Sequence, residues 1–251
     1  MPSADFLLEI CAGSVLSALE AEAGGAARIE LCENLAEGGT TPSYGTVAAA
    51  RDTLGIACHV MIRPRGGDFL YCSEELDVMS RDIELCKRLG IDGVVLGVLT
   101  ADGAVDVAAT RALVDLAQPL PVTFHRAFDM TVDADAALEQ VIASGCQRLL
   151  TSGQAQSALI GAAMIKHLVV RAAGRLIVMP GSGVRADNIG PLRAQTGCVE
   201  FHASARLPVH SAMRFRPEDV LLGAPGGDDY ARWESSADLV QAIIEAADEA
   251  G

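Results

Sequence analysis

Two short apolar runs each hold a glutamate and a cysteine two residues apart: Glu9 and Cys11 in LLEICAG (7–13), and Glu30 and Cys32 in RIELCE (28–33). A third run, CVEFHASA (198–205), repeats the spacing with Glu200, His202 and Ser204. Residues two apart on an extended strand share a face, so each run aims its polar set one way. Carboxylates brought together in this way raise one another's pKa through desolvation and repulsion. That suits proton transfer near neutral pH. HVMIRPRGG (59–67) places Met61, Arg63 and Arg65 on one face, and PVTFHRAFD (121–129) does the same with Thr123 and His125. Buried charge needs a partner. Arg63 is the expected counter-charge, with Arg126 or His125 opposite. The set serves one of two purposes: acid–base chemistry, with Glu9, Glu30, His125, Glu200 and His202 as candidate groups, or an ion network that only closes the core.

Cys11 and Cys32 form a second constellation. Neighbouring parallel strands lie about 4.8 Å apart, so two thiols at matched height could share a soft ion. Two-coordinate thiolate suits Cu(I), and Met61 could add a thioether. The same geometry is close to that of a disulfide, and strand stagger could prevent either arrangement. A buried cysteine also serves as a small hydrophobe, the reading given to Cys58, Cys86, Cys146 and Cys198. Cys72 falls in a loop.

A third set favours an anion. Gly181 and Gly183 close LIVMPGSG (176–183), and Thr151, Ser152 and Gly153 close RLLTSG (148–153). Backbone N–H groups at such turns cradle phosphate. Arg63, Arg65, Arg126 and Arg206 could grip a phosphate or carboxylate bidentately. His59 is expected in an outer layer, His167 on a helix and His210 in a long connection.

These residues need a scaffold that gathers strand ends. With GVVLGVLT (93–100) there are eight apolar runs, mostly separated by helix-like segments. The alternation predicts α/β architecture with a parallel sheet. Eight units in 251 residues fit one (β/α)8 TIM barrel spanning 1–251, whose sites form at the C-terminal strand ends. Leu8, Ile10, Ile29, Leu31, Val199 and Phe201 then face the helices. Leu76, Met79, Ile83 and Cys86 recur at helical spacing, a buried helix face. Residues 206–232 read as an irregular excursion, a lid or subunit contact.

Composition narrows the partners. A net charge of −14 opposes binding to nucleic acid or an anionic membrane. No stretch approaches the ~20 apolar residues of a membrane span. MPSADFLLEI lacks the basic-then-apolar order of a secretory signal. Seven cysteines without a paired framework point to reduced thiols in a cytoplasm.

The strings EICAGS, RIELCENLAEGGTTPS, VMIRPRGGDFLY, LPVTFHRAFD, RLLTSG, VMPGSGV and EFHASA together resemble the CutC family of copper homeostasis proteins. They cover most of residues 7–205. The resemblance implies a TIM barrel, a cytoplasmic protein, homo-oligomers and a role in copper handling, with the family's proposed Cu(I) thiols falling on Cys11 and Cys32. The Glu, Arg and His array supports a different class of function: a lyase- or isomerase-type barrel enzyme acting on a small anionic metabolite. In that case Glu9, Glu30 or His125 would transfer protons, and Arg63 and Arg126 would anchor the substrate.

Overall fold

The structure, a computed structural model, describes residues 6–217, 220 and 228–249. Eight strands follow one another with helices between them: β1 (Leu7–Ala12), β2 (Arg28–Leu31), β3 (Ala57–Met61), β4 (Gly93–Leu96), β5 (Val122–Phe124), β6 (Arg148–Thr151), β7 (Ile177–Pro180) and β8 (Glu200–Ala203). All the ladders are parallel, in the order β7-β6-β5-β4-β3-β2-β1-β8. β7 also lies against β8, so the sheet wraps into the expected (β/α)8 barrel with one seam that carries no ladder.

The outer layer is α1 (Val15–Ala23), α2 (Tyr44–Thr53), α3 (Ser73–Arg88), α4 (Val107–Ala117), α5 (Ala134–Ala143), α6 (Ala162–Ala172), α7 (Ile189–Thr196) and α8 (Ala237–Glu249). Side-chain oxygens of Ser14, Ser43, Asp106 and Asp133 cap four of the helix starts, satisfying N–H groups that have no partner within the helix. Leu8, Ile10, Ile29, Leu31 and Phe201 join one buried core between strands and helices, and α3 buries Met79, Ile83 and Cys86. Removal of that apolar area from water, at about 25 cal/mol per Å², leaves the opposite strand faces to line the barrel interior. No helix among the described residues is long and apolar enough to cross a membrane.

Three boundaries differ from expectation. β4 stops at Leu96 rather than Thr100, and a short bridge joins Leu99 to Val105. β5 stops at Phe124, and Arg126–Met130 turns as a 3-10 helix capped by the His125 ring. The excursion after β8 is not wholly irregular: β9 (Arg206–His210) pairs antiparallel with β10 (Ala231–Ser235). Residues 218, 219 and 221–227 of it lie outside the described residues. The hairpin is pinned to α1, where the Ser14 and Ser17 hydroxyls each donate to Glu234 Oε2 at 2.5 Å.

Candidate functional site

Register decides which polar groups meet. In the β1–β2 ladder Glu9 stands beside Arg28 and Cys11 beside Glu30; in the β1–β8 ladder Glu9 stands beside His202. The strands are therefore offset by two residues relative to the matched heights expected for Glu9 with Glu30 and Cys11 with Cys32. The three glutamates do share the interior, all buried.

The counter-charge of Glu9 and Glu200 is Arg28, not Arg63. The Arg28 guanidinium is 3% exposed. It donates through Nε to Glu9 Oε2 and through Nη2 to Glu200 Oε2 at 2.6 Å. Arg148 Nε adds a bond to the same Glu200 oxygen at 2.8 Å. Burial pushes the Glu9 carboxyl up, but Arg28 and His202 override it and hold it well below the carboxylate range. Glu200 is likewise lowered: burial opposes ionisation, and Arg148 and Arg28 outweigh it. Arg28 shares strand parity with Glu30, so the alternation that found Glu30 also points to Arg28.

Arg63 is buried, but it staples loops. Its guanidinium donates to the carbonyls of Glu37, Gly39 and Gly67 at 2.7, 2.8 and 2.7 Å and lies over the Phe69 ring. Gly39 holds φ +92, a left-handed conformation that glycine adopts without strain, and so presents its carbonyl to Arg63. Nε of Arg63 has no partner among the described residues.

Above Arg28 lies a histidine–carboxylate group. His202 Nδ1 donates to Glu9 Oε1 at 2.7 Å, and Nε2 lies 3.9 Å from Glu30 Oε2. Burial opposes the imidazolium, but Glu30, Cys11 and Glu9 raise its pKa well above the ordinary value. Glu30 itself is raised, chiefly by burial, with Glu9 adding repulsion and His202 opposing it. Oε1 of Glu30 is buried with no hydrogen-bond partner among the described residues.

The thiols sit beside this group. Sγ of Cys11 and Sγ of Cys32 are 3.5 Å apart, and Met61 and Val95 pack on Cys32. Hydrogen bonding to Cys32, then burial, pushes the Cys11 thiol well above its usual pKa. Cys11 lines a cavity of about 880 Å³ together with Glu30, Met61, Arg63, His125, His202, Arg206 and Trp233, and Cys32 is buried behind it.

Two histidines need separate comment. His59 is not in the outer layer: it shares the interior parity of Met61 and stands beside Glu30 in the β2–β3 ladder. A methyl on Gly93 would fall 2.5 Å from its Nε2. Burial lowers its pKa to about 4. His125 is buried against Phe69, and burial, then Arg63, lowers it to about 3. A base that weak is poorly matched to proton abstraction at neutral pH.

The expected anion cradle is filled from within. Asp129 Oδ1 accepts from Thr151 Oγ1 at 2.5 Å, Ser152 N–H at 3.1 Å and Gln154 N–H at 3.2 Å. Its Oδ2 accepts from Arg126 Nε at 2.8 Å, and Ser152 Oγ lies 2.9 Å away. Gly181 N–H is committed to the Thr151 carbonyl at 2.9 Å. Gly183 holds φ +74 on the cavity wall. Arg65 stands outside, paired with Asp68 and Glu75. Arg28, His59 and Asp129 are thus the site residues that strand-end reasoning missed. Asp129 closes the PVTFHRAFD string, but nothing local says that its carboxylate turns back onto β6.

Comparison with known proteins shows the family and the fold. The sequence model of the CutC family matches residues 6–207. A family protein CutC of Chromobacterium violaceum is 61% identical over 246 residues, 98% of this chain and 100% of that protein. The Mus musculus copper homeostasis protein cutC homolog is 52% identical over 219 residues, 87% of this chain and 80% of that protein. Among solved structures, a CutC chain from Streptococcus agalactiae superposes with a TM-score of 0.75 at 38% identity, over 78% of this chain and 97% of that one.

Proposed function

We propose, from the premise that this chain belongs to the CutC family, that it takes up Cu(I) as cargo through Cys11 and Cys32. The observation that carries this reading is the pair of sulfurs 3.5 Å apart with Met61 packed against them. Thiolate and thioether are the soft donors that Cu(I) selects. Cys11 is half-buried on the cavity wall, which gives a small copper complex a way in. A reducing cytoplasm, expected from the cysteine usage, belongs to the same reading. Self-association through the β9–β10 hairpin, where Trp233 is exposed, belongs to the same reading. The test is competition for Cu(I) against a chromophoric chelator, using reduced protein. The wild type should bind one equivalent, and Cys11→Ser with Cys32→Ser should abolish binding. Unchanged affinity in that variant removes these thiols as ligands.

A second reading, a lyase- or isomerase-type enzyme acting on a small anionic metabolite, is favoured by the Glu30 carboxylate beside His202, whose Oε1 has no hydrogen-bond partner among the described residues. Asp129 already fills the cradle at the end of β6 and Arg63 is committed to loop carbonyls, so this reading rests on Arg206 at the cavity wall as its anchor. Thermal shift against phosphorylated and carboxylated metabolites tests it: an authentic ligand stabilises the wild type by mass action. The reading falls if none does.

A further inference from the structure

The seam without a ladder, between β7 and β8, brings two turns together at the barrel mouth. The strand ends are adjacent there: a methyl on Gly181 would lie 3.4 Å from His202 Cβ. Ser182, Gly183 and Val184 after β7, and Ser204, Ala205 and Arg206 after β8, all line the cavity of about 880 Å³. On both turns the carbonyls are engaged by residues that do not line it. Ser182 O accepts from Ala158 N–H at 2.9 Å, and Gly183 O from Asn188 Nδ2 at 2.8 Å. Ser204 O accepts from Ser235 Oγ at 3.1 Å, and Ala205 O from Ser236 N–H at 2.9 Å. The N–H groups of Ser182, Gly183, Val184, Ser204 and Ala205 have no acceptor among the described residues.

Successive N–H groups in a turn make an anion-binding concavity. The β7 turn holds two consecutive residues at positive φ, Ser182 at +81 and Gly183 at +74, and Ala205 on the other turn holds +45. Arg206 adds charge. Its guanidinium lies 5.6 Å from the centre of the Trp233 ring and has no carboxylate partner among the described residues. Asp187, on the same cavity wall, is paired with Arg185 at 3.2 Å. The end of β6 is different, because Asp129 takes its N–H groups. The number of donors selects the anion. A carboxylate has two oxygens in one plane, and a single turn satisfies it. Donors from two strand ends with a guanidinium suit the three acceptor oxygens and greater charge of a phosphate monoester. The loops after strands 7 and 8 are also where barrels of this class often hold phosphate.

We propose that the turns after β7 and β8 form a seat for the phosphate group of a phosphorylated metabolite, with the five N–H groups as donors and Arg206 as counter-charge. This rests on the reading of the cavity as a site for a small anionic metabolite, and names the anion and its place. It is independent of the thiols and of copper.

The experiment uses the full chain at low salt, with glycerol 3-phosphate as the probe and glycerate, a carboxylate on the same three-carbon frame, as the comparison. Calorimetry gives the affinities, and amide resonances of the wild type, labelled with ¹⁵N, locate the site. Glycerol 3-phosphate should bind about tenfold or more tighter than glycerate and shift the amides of both turns. Arg206→Gln should weaken it by about tenfold or more, the loss of one charged hydrogen bond. Gly183→Val, strained at positive φ, should weaken it as well. Amide shifts confined to one turn or lying elsewhere, a result that needs no variant, overturn the proposal. So does unchanged affinity in Arg206→Gln. Glycerate binding as tightly as the phosphate overturns it too, but leaves the anion reading standing. If neither compound binds, the phosphate seat is wrong, and the wider metabolite panel decides the anion reading.

Discussion

Arg28 neutralises two buried glutamates at once, and its removal exposes what that neutralisation does. Breaking a buried ion pair by deleting one partner costs about 3–5 kcal/mol, because the other charge stays buried. Arg28→Met should therefore destabilise by about that much in urea denaturation. Adding Glu9→Gln and Glu200→Gln should recover part of the loss. A cost below about 1 kcal/mol, the range of an exposed pair, would mean that the carboxylates find another partner. His59 gives a pH signature. Its folded pKa of about 4 lies below the ordinary value, so between pH 6.5 and 4 the unfolded chain binds a proton that the folded chain refuses. Stability therefore falls as pH falls across that window, by about 1.4 kcal/mol per pH unit for one proton. His125 acts with the same sign. His202, raised instead, contributes stability that is fully present below its unfolded value and lost as pH rises through its folded one, so it does not steepen this window. His59→Gln should flatten the slope by about one proton. An unaltered slope would show that His59 takes up its proton in the folded state.

Between elements, Asp129 joins the turn after β5 to the end of β6, using donors that a phosphate would otherwise claim. Asp129→Ala should free Thr151 Oγ1 and the Ser152 and Gln154 N–H groups. Inorganic phosphate should then raise the melting temperature of the variant more than that of the wild type, by mass action. Equal shifts would show that the turn collapses onto β6 without the carboxylate. The β9–β10 hairpin depends on a comparable anchor, the Glu234 carboxylate between the Ser14 and Ser17 hydroxyls. It places Trp233 and Arg206 at the cavity rim, so this anchor sets the shape of the entrance to the thiols.

At the scale of the whole chain, α8 returns after the hairpin to pack on α1 and α7, burying Val240, Ile243 and Ala247. We propose that residues 1–251 unfold as one domain, because residues from Phe6 to Ala247 contribute to one continuous apolar layer. Scanning calorimetry should then give one transition, with calorimetric and van't Hoff enthalpies equal. A separate low-temperature transition that disappears on truncation after residue 205 would show instead that the C-terminal segment is independent.

Strand alternation was sufficient to read the barrel, the inward aim of Glu9, Glu30, Glu200, His125 and His202, and the pairing of two thiols near one mouth, because period two is a property of the local backbone. Parity also held Arg28 and His59, each two residues before a residue read as interior, but their meaning waited for the neighbours. Which groups touch depends on the stagger between strands, and stagger is fixed by packing across the whole sheet rather than by any one run. That stagger set Arg28, not Glu30, beside Glu9. Long side chains and loops added the rest: Arg63 reaches three carbonyls that no spacing rule locates, and Asp129 folds back onto β6 to fill a cradle that the sequence left open for a ligand. Faces are local and were legible; partners are non-local, and only the closed barrel chose them.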